Sequence, residues 1–374
     1  MLKPYLARVR TNIPGWRTRR KIVVIESDDW GSIRMPSREV YKKCLEAGYP
    51  VDASEYERYD SIASEEDLEL LFDLLLSHKD SKGSSPVITA NCLVANPDFE
   101  KIRAADFKSY HYELITETFK KYPAHHNNFN LWLKGMEEGI FHPQFHGREH
   151  LNVSMFMSAL REGNKDALFG FEHGMPGSIP SGPSSEGNYF VGATRYDSWE
   201  DKEDKLGIFL EGLELFKKLF GYSSESIIPT NYTWSPDFNS AVKQLGVNYL
   251  QGIRQVREPV PGETDRFYDV HLGKENELGQ IFMVRNTLFE PALFKMGIKD
   301  PVGRCLSEMG IAFRMQKPAV ISSHRINYVG FIEPGNRDRS LKMLDQILAR
   351  ALKRWPDIEF MTTPQLGRLI RNKN

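Results

Sequence analysis

Five side chains of this sequence have the types and spacings that can bind a metal ion. Asp28 and Asp29 end an apolar run in VVIESDDWGS, and His142, His146 and His150 follow at intervals of four in GIFHPQFHGREHLN. Two adjacent carboxylates repel each other, and a nearby cation or a raised pKa on one of them relieves the repulsion. Residues four apart can converge on one ion where the chain turns helical, and imidazole suits zinc, cobalt, nickel or ferrous iron. We therefore predict one divalent ion, with zinc preferred, bound by at least two of the histidines; the alternative for the aspartates is a solvated turn.

Another histidine stands at the end of an apolar run. His324 follows AVISS in AVISSHRINY, a position suited to a general acid, and the alternative is a surface histidine. The residue after His146 is Gly147, so the HExxH motif of zinc proteases and its glutamate base are missing. His125 and His126 are adjacent, and adjacent side chains diverge in a helix or a strand, so we predict that they are loop residues.

These residues lie at the ends of short β-branched runs that alternate with stretches of helical periodicity, a pattern typical of repeated βα units. The predicted strands are 21–27, 86–92, 140–146, 226–232, 247–253, 280–286, 319–325 and 358–363. The predicted helices are 65–79, 128–138, 205–221, 237–246 and 339–355. Since no GxGxxG turn follows any strand, the sequence favours an α/β fold with a distorted (β/α) barrel of seven or eight parallel strands.

The predicted domain organisation is a basic N-terminal extension, 1–20, followed by a single barrel domain, 21–374, with an inserted loop at about 165–200. Within that loop, eleven of the fourteen residues in GMPGSIPSGPSSEG (174–187) are Gly, Pro or Ser, which excludes regular structure. A loop of this length is a lid, a binding loop or a disordered segment.

The composition excludes some classes of partner. The chain has 374 residues, 49 of them basic and 50 acidic, and this balance provides no field to attract nucleic acid. The three cysteines are far apart and lack CxxC spacing, so we expect reduced thiols. The N-terminus lacks the apolar core of a secretory signal, and no apolar run is long enough for a transmembrane segment, so we expect a cytoplasmic protein. Its basic residues could also attract an anionic membrane surface.

A small or neutral substrate suits this charge balance, and a carbohydrate is our preferred candidate. Sugar rings stack on aromatic faces, and several aromatic residues lie near the predicted strand ends. The candidates for lining a groove are Trp30, Tyr232, Trp234, Tyr328 and Phe331. The sequence gives no prediction of the oligomeric state.

Taken in order, these elements resemble the polysaccharide deacetylase family, the NodB homology domain of carbohydrate esterase family 4, over about 21–369. The first motif of that family is similar to VVIESDDWGS, and the resemblance implies that Asp28 is the catalytic base and Asp29 a metal ligand. The second motif is similar to MEEGIFHPQFHGREHL, which implies that His146 and His150 are the other two ligands.

The later motifs of the family also have counterparts. IIPTNYTWSPDFNSAVKQLGVNYLQG resembles the third motif, which implies that the backbone from Asn231 to Thr233 binds the oxyanion near Tyr232. AVISSHRINY resembles the last, with His324 as the catalytic acid, and IEFMTTPQLGRLI resembles the closing strand and helix.

The sequence departs from the family at three positions. The arginine that opens the third motif and pairs with the base has no counterpart in IIPTNY, and Arg254 or Arg285 could replace it. Leu151 stands where a proline is usual, and Arg325 where an aspartate is usual.

The resemblance implies a metal-dependent hydrolase that removes an acetyl group, N-acetyl in preference to O-acetyl, from a sugar or polysaccharide. One alternative is a glycosidase on the same barrel, for which Glu26, Glu149 and Glu290 are candidate nucleophiles. The other alternative is a carbohydrate-binding relative that has lost the chemistry and binds no metal.

Overall fold

The computed structural model describes residues 9–176 and 190–372. The strands are β1 (Lys21–Trp30), β2 (Ile88–Leu93), β3 (Ala95–Pro97), β4 (Tyr112–Leu114), β5 (Phe141–Gly147), β6 (Ser226–Ile227), β7 (Tyr249–Gly252), β8 (Gln255–Glu258), β9 (Arg266–Asp269), β10 (Ile281–Val284), β11 (Thr287–Leu288), β12 (Ala319–His324) and β13 (Ile358–Phe360). The α-helices are α1 (Arg38–Glu46), α2 (Glu55–Tyr59), α3 (Glu65–Ser77), α4 (Phe99–Ala104), α5 (Ile115–Lys121), α6 (Asn128–Glu137), α7 (Val153–Arg161), α8 (Lys165–Glu172), α9 (Trp199–Phe220), α10 (Asn239–Gln244), α11 (Pro301–Arg314), α12 (Pro334–Arg354) and α13 (Thr363–Arg371). Short 3-10 turns occupy Val51–Ala53, Thr230–Tyr232, Pro236–Phe238, Phe294–Met296 and Arg325–Asn327.

One large parallel sheet forms the centre of the described structure. Its strands follow the order β10-β7-β6-β5-β2-β1-β12-β11, and β13 pairs with the start of β1. The two end strands of this path, β10 and β11, are separated in the chain only by Arg285 and Asn286. The Arg285 N–H donates to the Gly252 carbonyl at 2.9 Å, and the Asn286 N–H donates to the Val320 carbonyl at 3.1 Å. The chain thus passes from β7 to β12, and the sheet curls round on itself, which confirms the predicted distorted barrel of parallel strands.

Helix α9 shows how the sequence brings a helix close to the strand that carries His146. The Ser198 side chain caps its start by accepting a hydrogen bond from the Asp201 N–H, and the helix ends at Gly221, whose φ is 78°. A Cβ on Gly212 would lie 2.6 Å from the Phe145 ring. A glycine at this position therefore lets the helix backbone pack directly against β5.

The observed elements agree with most of the predicted ones and differ in extent. The strand predicted at 226–232 ends at Ile227, because Pro229 has no N–H to donate to a ladder and the chain then enters a 3-10 turn. Within the stretch predicted as an inserted loop, Lys165–Glu172 is helical. Most of the Gly/Pro/Ser-rich segment, 177–189, lies outside the described residues. Among the helices that are described, none has the length and apolar character to cross a membrane.

Candidate active site

A distortion at the end of β1 makes two adjacent carboxylates point toward the same cavity. Neighbouring residues of a regular strand point to opposite faces of the sheet. The register of β1 against β2 shifts between Ser27 and Trp30, and Asp29 has a φ of 73°, which residues with a Cβ rarely adopt. Asp28 and Asp29 therefore both line the cavity at the carboxyl end of the barrel. Strain of this kind is typical of functional sites.

Asp29, His146 and His150 bring three ligand atoms together within 4.8 Å of one another. Asp29 Oδ1 lies 3.3 Å from His146 Nε2 and 3.5 Å from His150 Nε2. Ligand atoms at 2.0–2.1 Å from a tetrahedral zinc ion are about 3.3 Å apart, so these separations match those around such an ion. The group is a candidate metal-binding site.

The protonation of the two rings also suits a cation. His146 Nδ1 lies 2.7 Å from the Ile228 carbonyl, which can only accept, so in the neutral ring Nε2 keeps its lone pair. Burial lowers the pKa of His150 to about 3, which keeps that ring neutral. Burial alone would raise the pKa of Asp29, but its contacts with the two rings and the positive charge of His324 hold that pKa well below its usual range. Electron pairs of three acceptors thus face one another, and a cation between them would remove the repulsion.

The two histidines converge through a loop and not through a helical turn. His146 is on β5, and residues 148–152 form no helix or strand before α7 begins. The Arg148 carbonyl accepts hydrogen bonds from two backbone N–H groups of the segment 94–95, which fixes the loop. His142 lies outside the group: its ring stacks on Tyr222, with centroids 5.7 Å apart, so it is not a ligand.

Asp28 is held by a buried arginine. Arg285 donates to both carboxylate oxygens of Asp28, at 2.6 and 2.7 Å, and Asn91 donates to Oδ1 at 2.7 Å. The same guanidinium donates to Glu26, two residues earlier on the same face of β1, at 2.6 Å. Burial alone would raise the pKa of Asp28, but the charge and hydrogen bonds of Arg285 lower it to about 2. Of the two arginines that the sequence analysis considered as partners of this carboxylate, Arg285 is the one that contacts it.

His324 is paired with a glutamate that positions its ring. Its Nδ1 lies 2.6 Å from Glu290 Oε1, and its Nε2 lies 3.7 Å from Asp28 Oδ2. The other oxygen of Glu290 accepts a hydrogen bond from Asn327 at 2.7 Å. Burial would lower the pKa of His324, but the negative charge of Glu290 and its hydrogen bond raise it to about 10. His324 is therefore protonated at neutral pH, as a general acid must be.

These groups line one cavity of about 260 Å³, slightly below the usual range of about 300–1,000 Å³ for ligand pockets. The predicted residues Asn231 and Tyr232 also line it. Two polar lining residues were missed by the sequence analysis, Arg34 and Tyr56. Both come from the segment between β1 and β2, where no apolar run ends and no motif marks them. The charge of Arg34, five residues after Asp29, was the only available signal.

Four of the predicted substrate-binding residues lie elsewhere. Trp30, Trp234 and Tyr328 are at most 2% exposed and belong to the core, and a partner inside the protein satisfies the polar atom of each ring. Arg254 pairs with Asp269 on the adjacent hairpin. The predictions for these four residues are therefore wrong. An aromatic residue near a strand end can pack into the core as readily as it lines a groove.

Of the backbone N–H groups at 231–233 that were predicted to bind an oxyanion, two donate hydrogen bonds within the protein. The Tyr232 N–H donates to the Pro229 carbonyl at 3.1 Å, and the Thr233 N–H donates to the Thr230 carbonyl at 3.1 Å. Asn231 and Tyr232 both have a φ of 54°. These two amides stabilise a tight turn, which places the Asn231 and Tyr232 side chains at the cavity.

No protein-family model matches the sequence, and no curated protein matches it. A solved structure provisionally assigned as a glycoside hydrolase/deacetylase, from Parabacteroides distasonis, is similar with a TM-score of 0.50 and 10% identity, over 96% of this chain and 73% of that one. Peptidoglycan deacetylase PdaC from Bacillus subtilis matches with a TM-score of 0.35 and 11% identity, over 95% and 92%. A 4-alpha-glucanotransferase from Thermococcus litoralis matches with 0.44 and 11%, over 92% of this chain, which spans 40% of that structure's length. At such identities the likeness concerns the fold alone.

Proposed function

We propose that this protein is a metal-dependent hydrolase that removes an acetyl group, N-acetyl in preference to O-acetyl, from a sugar or polysaccharide. The observation that supports it is the content of one cavity. Three converging acceptor atoms, Asp29 Oδ1 and the Nε2 atoms of His146 and His150, lie beside an ionised Asp28 and a protonated His324.

The donor set suits zinc, with cobalt, nickel and ferrous iron as the other candidates, because it combines two imidazoles with one carboxylate. Three protein ligands leave coordination positions for water and substrate. When bound, such an ion polarises a substrate carbonyl and promotes the ionisation of water.

The residues of the chain then have distinct roles. Asp28 is ionised at neutral pH and accepts the proton of the attacking water. His324 carries a proton on the ring that Glu290 orients, and donates it to the leaving group. An amide needs protonation of its nitrogen before the C–N bond breaks, so a histidine that stays protonated at neutral pH favours N-acetyl over O-acetyl substrates.

The test is acetate release from N-acetylated oligosaccharides by the purified protein with and without added zinc. We expect release that depends on the metal, and a fall of about 100- to 10,000-fold in Asp28→Asn with the zinc content unchanged. His126→Ala, a change on an exposed loop, is the matched control. Zinc-loaded protein that releases no acetate from any such substrate would rule out the proposal.

The glycosidase alternative is disfavoured by the position of its candidate nucleophiles. Glu26, Glu149 and Glu290 do not line the cavity, whose acidic lining residues are Asp28 and Asp29. A glycosidase needs a carboxylate that reaches the sugar. A carbohydrate-binding relative without activity predicts that no metal binds, and measurement of the zinc content distinguishes it.

A further inference from the structure

Arg34 lines the cavity and differs from the two other arginines near the site, because it forms ion pairs but no hydrogen bond with the described residues. Around the site, Arg285 donates to Glu26 and Asp28, and Arg325 donates twice to Asp60, at 3.0 and 2.9 Å, and once to the Ser32 carbonyl at 2.6 Å. For Arg34, in contrast, no acceptor among the described residues has hydrogen-bond geometry. Its charge contacts are Asp60, with 3.2 Å between Nε and Oδ2, and Glu57 at 3.9 Å.

Arg34 is placed for a ligand and not for the fold. Its side chain is 15% exposed and lines the same cavity as Asp29. The guanidinium lies over the Tyr56 ring, 4.7 Å from its centroid, which fixes the plane of the group. Asp60 receives two hydrogen bonds from Arg325, so Arg34 is its second cationic partner and not its main one. A guanidinium has five N–H donors, and leaving them unpaired in a partly buried position is costly.

We propose that Arg34 binds a carboxylate on the substrate, and therefore that this enzyme acts on an acidic acetylated sugar. A planar carboxylate fits the planar guanidinium fork with two parallel hydrogen bonds. The acids near Arg34, which are Glu57, Asp60 and Asp29, favour a group with one negative charge over a phosphate or sulfate ester with more oxygens and charge. This inference rests on the proposed function, since it names the substrate class for the same site.

The experiment compares two substrates that differ only in charge, N-acetylmuramic acid, whose lactyl group carries a carboxylate, and its methyl ester. The ratio of their kcat/KM values is measured for the zinc-loaded wild type, Arg34→Gln and Arg58→Gln. Arg58 is an exposed arginine on the same segment, so its variant is the matched control. Zinc content and Tm are measured for each variant.

We expect the wild type and Arg58→Gln to prefer the acid, and Arg34→Gln to lower this preference about 10- to 100-fold, as loss of a charge-assisted pair does. Equal use of acid and ester by the wild type, or a ratio that Arg34→Gln leaves unchanged, would overturn the inference and leave the proposed deacetylation standing.

If neither substrate releases acetate, the proposed function is decided by the N-acetylated oligosaccharides described above, and calorimetry still decides the question of Arg34. Tighter binding of the acid than of the ester by the wild type, lost in Arg34→Gln, would support the carboxylate site. Equal affinities would overturn it.

Discussion

On one side of the cavity, Arg285 donates to both oxygens of Asp28; on the other, Asp29 faces two imidazole nitrogens with no hydrogen between them. The two aspartates are adjacent in the chain and equally buried, yet folding alone supplies a cation to only one of them. We call Glu26, Asp28, Asn91 and Arg285 the arginine side, and Asp29, His146 and His150 the metal side. The contrast is that the arginine side already has its cation when the chain folds, whereas the metal side, on the proposed function, receives its cation from solution.

The largest expected effect comes from a change on the metal side, and it tests whether activity depends on a bound ion. His146→Ala should remove zinc binding and lower kcat more than about 1,000-fold, since the ion supplies several kcal/mol of transition-state stabilisation. Elemental analysis and acetate release measure the two losses. His142→Ala is the control, because that ring lies on the same strand outside the metal side. Full activity in metal-free His146→Ala would show that activity does not depend on an ion at the metal side.

The next effect tests whether the arginine side is needed for folding. Arg285→Gln leaves Glu26 and Asp28 buried without their cation, which should lower the free energy of unfolding by about 3–5 kcal/mol. Urea unfolding measures it without zinc. Arg254→Gln breaks a largely exposed pair with Asp269 and should cost less than about 1 kcal/mol. Equal losses in the two variants would show that the arginine side contributes no more than a surface pair.

A smaller effect sharpens the role of the ion. Zinc at about 100 times its Kd should raise the free energy of unfolding by about 2.7 kcal/mol, because it binds only the folded protein. The same addition should leave His146→Ala unchanged, and magnesium, which prefers oxygen ligands, should have little effect on either protein. Stabilisation of His146→Ala by zinc would place the ion elsewhere.

A further effect depends on pH and involves His324, which lies between the two sides. Its pKa is raised to about 10 in the folded protein, against about 6.5 in an unfolded chain, so the folded state holds a proton that the unfolded state has lost. The stabilisation is full below about pH 6.5 and is lost as the pH rises through 10. The stability difference between the wild type and His324→Gln should therefore shrink from pH 7 to pH 10. A difference that grows with pH would contradict the pairing with Glu290.

Much of the fold and the metal side could be predicted because the strands that carry the site have polar residues at or next to their carboxyl ends. His146 and Asp29 stand at such ends, and the barrel brings those ends together. The arginine side was harder, since Arg254 and Arg285 both follow a strand and only the barrel shows which one reaches Asp28. Arg34 could not be found, because an irregular segment has no period that relates sequence position to direction in space.

The position of Arg285 in the sequence also determines when this residue becomes available during synthesis. Arg285 lies where the chain passes from β7 to β12, 257 residues after Asp28. Pairings this distant in sequence form slowly, because a long loop must be closed first. During synthesis, Asp29, His146 and His150 are all present in the nascent chain well before Arg285 is added. The ligands of the ion thus precede, on the ribosome, the arginine that lowers the pKa of Asp28.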